Sequence, residues 1–185
     1  MIRETPKIEL LGGERRREFV LDHAAEKVYL EACPDPLKDA SLLMLDTGLR
    51  SGEAAALEWG DIHLKAAVGK KFGYLQIRRG KSASAVRTVS LTERVALMLT
   101  ARRKASKTDH VFTVRSGAQA RGTWLDRQHD GVRTALKLSP DFVLHSLRHT
   151  MLTRLGEAGA DAFTIKEIAG HSSITISQTL RASIA

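Results

Sequence analysis

Four residues near the end of the chain have side-chain types and spacings suited to handling a phosphate. His145 and Arg148 stand three positions apart, His149 follows at once, and His171 comes directly after Gly170. On a helix, positions i and i+3 share a face one turn apart. Leu144, Leu147, Met151, Leu152 and Leu155 then form the buried face of that helix. Gly159 reads as its stop, Asp161 as the N-cap of a next helix, and Gly170 as a second stop. A helix, a turn, a second helix and a turn can bring His171 back toward His145 and Arg148. A fixed guanidinium and two imidazoles converging in this way build a site for a phosphate undergoing transfer.

His145 and His149 also form an i, i+4 histidine pair of the kind that holds zinc. Ser146 stands where such a motif needs glutamate, and no third ligand is suggested. His149 therefore reads as a buried, hydrogen-bonded structural residue. His23, His63, His110 and His129 read as surface or core histidines.

These side chains must be positioned by the rest of the chain. At 185 residues the chain is long enough for one domain with a proper core. Its formal charge of +8 favours a polyanionic partner, nucleic acid before a membrane surface. The single cysteine, Cys33, excludes an internal disulfide and a cysteine-based zinc finger and fits a reducing, cytoplasmic setting. No apolar run approaches the roughly 20 residues of a membrane span, and no signal-peptide hydrophobic region opens the chain.

Residues 1–13 read as a linker or arm, and residues 14–185 as the domain. A first helix is expected over 14–32, ended by Cys33-Pro34-Asp35-Pro36. A second, over 37–47, is apolar nearly all round and should lie at the centre of the core. Gly48 ends it and Ser51 can cap the next, which pins Arg50 at a tight helix–helix junction. Residues 61–65, 74–78 and 86–91 read as three short strands of an antiparallel sheet. A basic hairpin links the second and third, with Arg78, Arg79, Lys81 and Arg87 as candidates to contact DNA. Helices over about 93–105 and 124–136 follow, the first with Val95, Leu97, Met98 and Leu99 buried. The expected fold class is α+β, mostly helical, with a small three-stranded antiparallel sheet.

Three stretches together resemble the catalytic domain of the tyrosine recombinase, or phage integrase, family. They are Thr47-Gly48-Leu49-Arg50-Ser51-Gly52-Glu53, Gly80-Lys81, and His145-Ser146-Leu147-Arg148-His149 followed by Gly170-His171-Ser172-Ser173. They occur in the family's order and span most of the chain. The resemblance implies cleavage and rejoining of DNA strands through a 3′-phosphotyrosyl link, without metal or cofactor. It implies that Arg50 and Arg148 grip the scissile phosphate, with Glu53 in support. His145 would be the acid–base partner, His171 a further hydrogen-bond donor, and Lys81 the proton donor to the departing 5′-oxygen. The implied partner is double-stranded DNA, with a homo-oligomer assembled on it. The implied location is the cytoplasm, on the nucleoid when DNA is bound.

The sequence departs from the family in two places. The family's nucleophilic tyrosine lies nine residues beyond the histidine of Gly-His, and here that position is Leu180. Leucine has no nucleophilic oxygen, and the chain's two tyrosines, Tyr29 and Tyr74, lie in other motifs. This polypeptide is therefore expected to form no covalent adduct with DNA. The family's N-terminal DNA-clamping domain is also expected to be absent, residues 1–13 being too short for it. Two alternatives stay open: a non-catalytic DNA-binding module derived from a recombinase, and a helical protein-interaction domain. The latter predicts that Arg50, Lys81, His145, Arg148 and His171 are scattered over the surface.

Overall fold

The computed structural model describes residues 19–78 and 86–170. The expected arm, Arg79 and Lys81 of the hairpin, His171 and Leu180 lie outside the described residues. Seven helices and three strands are described: α1 His23–Ala32, α2 Leu37–Thr47, α3 Ser51–Ala55, β1 Ile62–His63, β2 Tyr74–Ile77, β3 Arg87–Ser90, α4 Glu93–Ala105, α5 Gly122–Ala135, α6 His145–Glu157 and α7 Ala162–Ala169. A 3₁₀ turn at Trp59–Asp61 leads into β1.

Helix α2 is the hub. Its residues Leu37, Ala40, Leu43, Met44 and Leu45 are all buried, and it packs on α1, α3, α4, α5 and α6. A helix so largely apolar is stable when neighbours cover most of its sides, as here, with Lys38 left exposed. It ends at Gly48, whose φ of 65° is left-handed. The turn is tight: a Cβ on Gly48 would lie 3.1 Å from the sulfur of Met151 on α6. Glycine here lets α6 lie close against the α2–α3 junction.

Helix α1 starts later than the sequence suggests. Asp22 caps it at His23, its carboxylate accepting the Ala25 N–H at 2.8 Å. Leu21, just before the cap, is held by α6. The Leu21 N–H donates to Thr150 Oγ1 at 2.9 Å, and the Leu21 carbonyl accepts from Arg154 at 2.8 Å. The buried residues are Leu21, Glu26, Tyr29 and Cys33, whereas Val20 and Val28 are exposed.

The sheet has strand order β1-β2-β3, antiparallel throughout, with Ile62 opposite Leu75 and Leu75 opposite Val89. Leu75, Ile77 and Val89 face the core. The first strand is two residues long rather than the expected five. Helix α4 has the expected limits, capped by Thr92, but buries only one stripe. Val95 and Leu99 are inside, and Leu97, on the opposite face, is exposed. Helix α5 begins two residues before its expected start, and Leu125 and His129 are its buried positions. Helix α6 begins at His145 and buries Leu144, Leu147 and Leu152 as expected. Asp161 caps α7 through the Phe163 and Thr164 N–H groups, and left-handed Gly170 ends it. Among the described residues no helix is long and apolar enough to cross a membrane.

Candidate functional site

Arg50 is the N-cap residue of α3, a place the sequence assigned to Ser51. The Glu53 carboxylate folds back on it, accepting the Arg50 N–H at 2.9 Å through Oε2 and Arg50 Nη1 at 2.8 Å through Oε1. One acidic side chain thus fixes both ends of Arg50. The guanidinium remains 41% exposed, so it is oriented yet reachable.

Glu53 is itself gripped from the sheet. Arg87, the first residue of β3, donates Nη1 to Oε1 at 3.1 Å and Nη2 to Oε2 at 2.9 Å, a two-pronged pair. Burial opposes ionisation of Glu53. The hydrogen bonds from Arg87 and Arg50 and their positive charges outweigh it and hold the carboxyl at about 2. The Arg87 side chain is only 6% exposed. Unlike the solvent-facing contact expected from the sequence, it is turned inward.

Arg148 lies one turn into α6 and is 2% exposed. Its Nη1 donates to the Gly48 carbonyl and its Nη2 to the Ala169 carbonyl, the latter at 2.7 Å. It thus joins the end of α2 to the end of α7. Burial first, then the charges of Arg50 and Arg87, push its pKa down to about 9. The guanidinium is still charged at pH 7, but it sits in an environment short of negative charge.

These arginines meet at one place. Three successive carbonyls at the end of α7 each accept from a different guanidinium: Ile168 from Arg87 at 3.0 Å, Ala169 from Arg148, and Gly170 from Arg50 at 3.5 Å. A helix C-terminus carries partial negative charge on such orphan carbonyls. Cations from β3, α6 and the α2–α3 junction are therefore gathered around it. Sequence reading had no signal for this cluster, because its acceptors are main-chain atoms, whose partners depend on where the helices pack.

His145, at the start of α6, is solvent-accessible beside this group. Its pKa is lowered from 6.5 by the protein packed around it first, then by the charges of Arg148, Arg50 and His149, with Glu53 opposing. At neutral pH it is uncharged, able to donate from one ring nitrogen and accept at the other. His149 is half-buried. Arg78 is 59% exposed and pairs with Asp61 at 2.9 Å, while donating to the Gly60 carbonyl at 2.6 Å.

The two tyrosines belong to the scaffold. Tyr29 is fully buried. Its hydroxyl donates to His129 Nδ1 at 2.8 Å, and His129 Nε2–H donates to the Phe142 carbonyl at 2.8 Å. That chain of bonds fixes the histidine tautomer, and burial drives the phenol pKa upward. Tyr74 lies on β2, stacked on His63 with ring centres 4.4 Å apart.

Of the sequence-selected residues, Arg50, Glu53, Arg87, Arg148 and His145 are brought together, which removes the scattered arrangement required of a protein-interaction domain with coincidental motifs. A mostly helical core with a small antiparallel sheet gathers these arginines at one helix end. The chain belongs to the phage integrase family, whose sequence model matches residues 20–183.

The tyrosine recombinase XerD of Listeria innocua is 30% identical over 153 residues, covering 78% of this chain and 50% of that protein. The integrase of Salmonella phage P22 is 28% identical over 186 residues, covering 94% and 46%. The chain spans about half the length of these relatives. In three dimensions it resembles the Tn1549 transposon integrase in complex with circular intermediate DNA. The TM-score there is 0.74 at 22% identity, over 92% of this chain and 63% of that one. XerA recombinase gives 0.71 at 20% identity, over 96% and 61%. The fold is that of a tyrosine recombinase catalytic domain.

Proposed function

We propose that this chain binds duplex DNA and holds one backbone phosphate between Arg50 and Arg148. The observation that carries this reading is the pair itself. Two guanidiniums from different elements, each anchored by the fold, converge on adjacent carbonyls in a region with excess positive charge. Arginine suits the task because its planar fork can hold two phosphate oxygens and stays charged. Such fixed donors stabilise the charge that develops on a phosphate under attack. Glu53 would keep Arg50 aimed, and neutral His145 would hydrogen-bond a phosphate oxygen or pass a proton. Lys81 would supply the proton to the departing 5′-oxygen, and His171 a further hydrogen bond. Arg78 and Arg79 would contact neighbouring phosphates.

In this reading the chemistry stops at binding, because Leu180 occupies the position of the nucleophile. A tyrosine there would bond its phenolic oxygen to phosphorus as the 5′-oxygen leaves with a proton, conserving the bond energy for rejoining. The supporting observation is that Tyr29 and Tyr74 are committed to the core and to the sheet. A non-catalytic DNA-binding module is the second reading, and it shares the site.

Crystals grown with vanadate test the phosphate site. Arg50, Arg148 and His145 should contact one anion, and side chains that diverge from it would refute the reading. With duplex DNA, retardation should weaken steeply as salt rises, since phosphate contacts release counterions. No denaturation-resistant adduct should form. Leu180→Tyr should produce one if the site is otherwise intact; its failure to do so would favour the non-catalytic module.

A further inference from the structure

Arg87 occupies an unusual place in the cluster. Its guanidinium is buried and spends its donors on protein: Nη1 and Nη2 on Glu53, and Nε on the Ile168 carbonyl. It therefore spans two elements, α3 and α7, from a third, β3. Glu53 is the brace of Arg50. Ile168 lies in the last turn of α7, one residue before the carbonyl that Arg148 holds and two before Gly170. A buried carboxylate whose two oxygens are both gripped cannot swing, and a helix end tied at three successive carbonyls cannot slide. Arg50 joins these two constraints from the α2–α3 junction, through Glu53 and the Gly170 carbonyl, and Arg87 joins them from the sheet. Its strand also follows directly on residues 79–85, which contain Lys81.

The geometry points to Arg87 as a positioning residue whose fork sets Arg50, through Glu53, and the end of α7 relative to one another. It touches no phosphate itself. It ties the β2–β3 pair to the phosphate cradle. This rests on the reading of Arg50 and Arg148 as phosphate ligands.

Charge alone does not explain the arrangement. A lysine at position 87 would keep the charge, but its single ammonium cannot grip both carboxylate oxygens and the Ile168 carbonyl in one plane. The test compares Arg87→Met and Arg87→Lys with the unaltered chain. Arg102→Met serves as the control, because Arg102 pairs with Asp35 and Asp39 at the α2–α4 side. Two measurements are made on each: vanadate affinity, and hydrogen exchange of the Ala169 and Gly170 amides.

Arg87→Met should weaken vanadate binding on the order of tenfold or more, the size seen when a ligand's hydrogen-bond partner is removed. Arg87→Lys should restore little of that loss, and both variants should exchange the α7-end amides faster. Arg102→Met should lose stability but change neither reading. Full rescue by lysine, unchanged affinity in Arg87→Met, or unchanged exchange at the end of α7 would each overturn the proposal. Absence of vanadate binding in the unaltered chain would instead overturn the phosphate-site reading. Hydrogen exchange would then still decide whether Arg87 fixes α7.

Discussion

Two of the arginine–carboxylate networks among the described residues differ in how their charges balance. In the first, Glu26 of α1 accepts from Arg94 of α4 at 2.8 Å and from Arg154 of α6 at 2.5 Å. Arg94 also pairs with Asp46 of α2, which accepts from Thr92 as well. Two carboxylates serve two guanidiniums, and Arg154 caps the arrangement on the Leu21 carbonyl. In the second, Arg50 and Arg87 share one carboxylate, Glu53, and Arg148 beside them donates to main-chain carbonyls. The first network is closed and ties four helices together. Among the described residues the second gathers three guanidiniums around one carboxylate and the negative end of α7. Like charges packed this closely destabilise a fold unless an anion joins them. The comparison supports the proposed reading, in which the second network is organised for an anionic ligand and the first for the scaffold.

The largest effect should separate the networks directly. Arg148→Met should abolish vanadate or sulfate binding, a loss on the order of a hundredfold or more, as when a fixed oxyanion donor is removed. Arg154→Met should leave that affinity unchanged and instead cost about 2–3 kcal/mol of stability, by leaving a charge-assisted partner of buried Glu26 unmade. Titration calorimetry and denaturant melts on the two variants would check this. Equal effects on binding would break the distinction.

A smaller effect concerns the unaltered chain. An anion that binds only the folded state should raise the melting temperature. At ten times its dissociation constant it adds about 1.4 kcal/mol. Sulfate should therefore stabilise more than chloride at equal ionic strength, and Arg148→Met should remove the difference. A melt series in the two salts measures it.

The smallest effects are in the pH dependence. The folded-state pKa values of His129 and His145 are lowered by burial, so both resist protonation. The stability they contribute is complete above about 6.5 and declines as pH falls below it. Glu26 and Glu53 are also lowered, Glu53 to about 2, so their contribution is present above about 4.5 and is lost as pH falls toward 2. Melts from pH 8 to pH 3 should show two successive declines. His129→Gln should blunt the first, and a curve flat down to pH 5 would contradict it.

Much of the fold was legible from the chain. The largely apolar run of α2, the glycine stop at Gly48, the Asp161 cap and the strands β2 and β3 each state a local preference that the packing kept. The errors fell where another element intervened. Helix α1 begins late because Thr150 and Arg154 of α6 hold Leu21. Leu97 looked like a core residue by type but lies on the wrong side of its helix.

Within the site, residue types and order in the motifs pointed to Arg50, Glu53, His145 and Arg148, and the fold gathers them. Arg87 was read as a contact to DNA, since an arginine beside a basic hairpin looks the same in sequence whether it faces solvent or core. The sequence by itself pointed to most of the helices, the Asp161 cap, the family and the candidate phosphate ligands, because those depend on neighbours close along the chain. Only the tertiary structure decided that three arginines from distant segments meet at one helix end and that two of them share one carboxylate. Main-chain carbonyls carry no sequence signature, and which side chain reaches them depends on how α2, α3, α6, α7 and the sheet pack together.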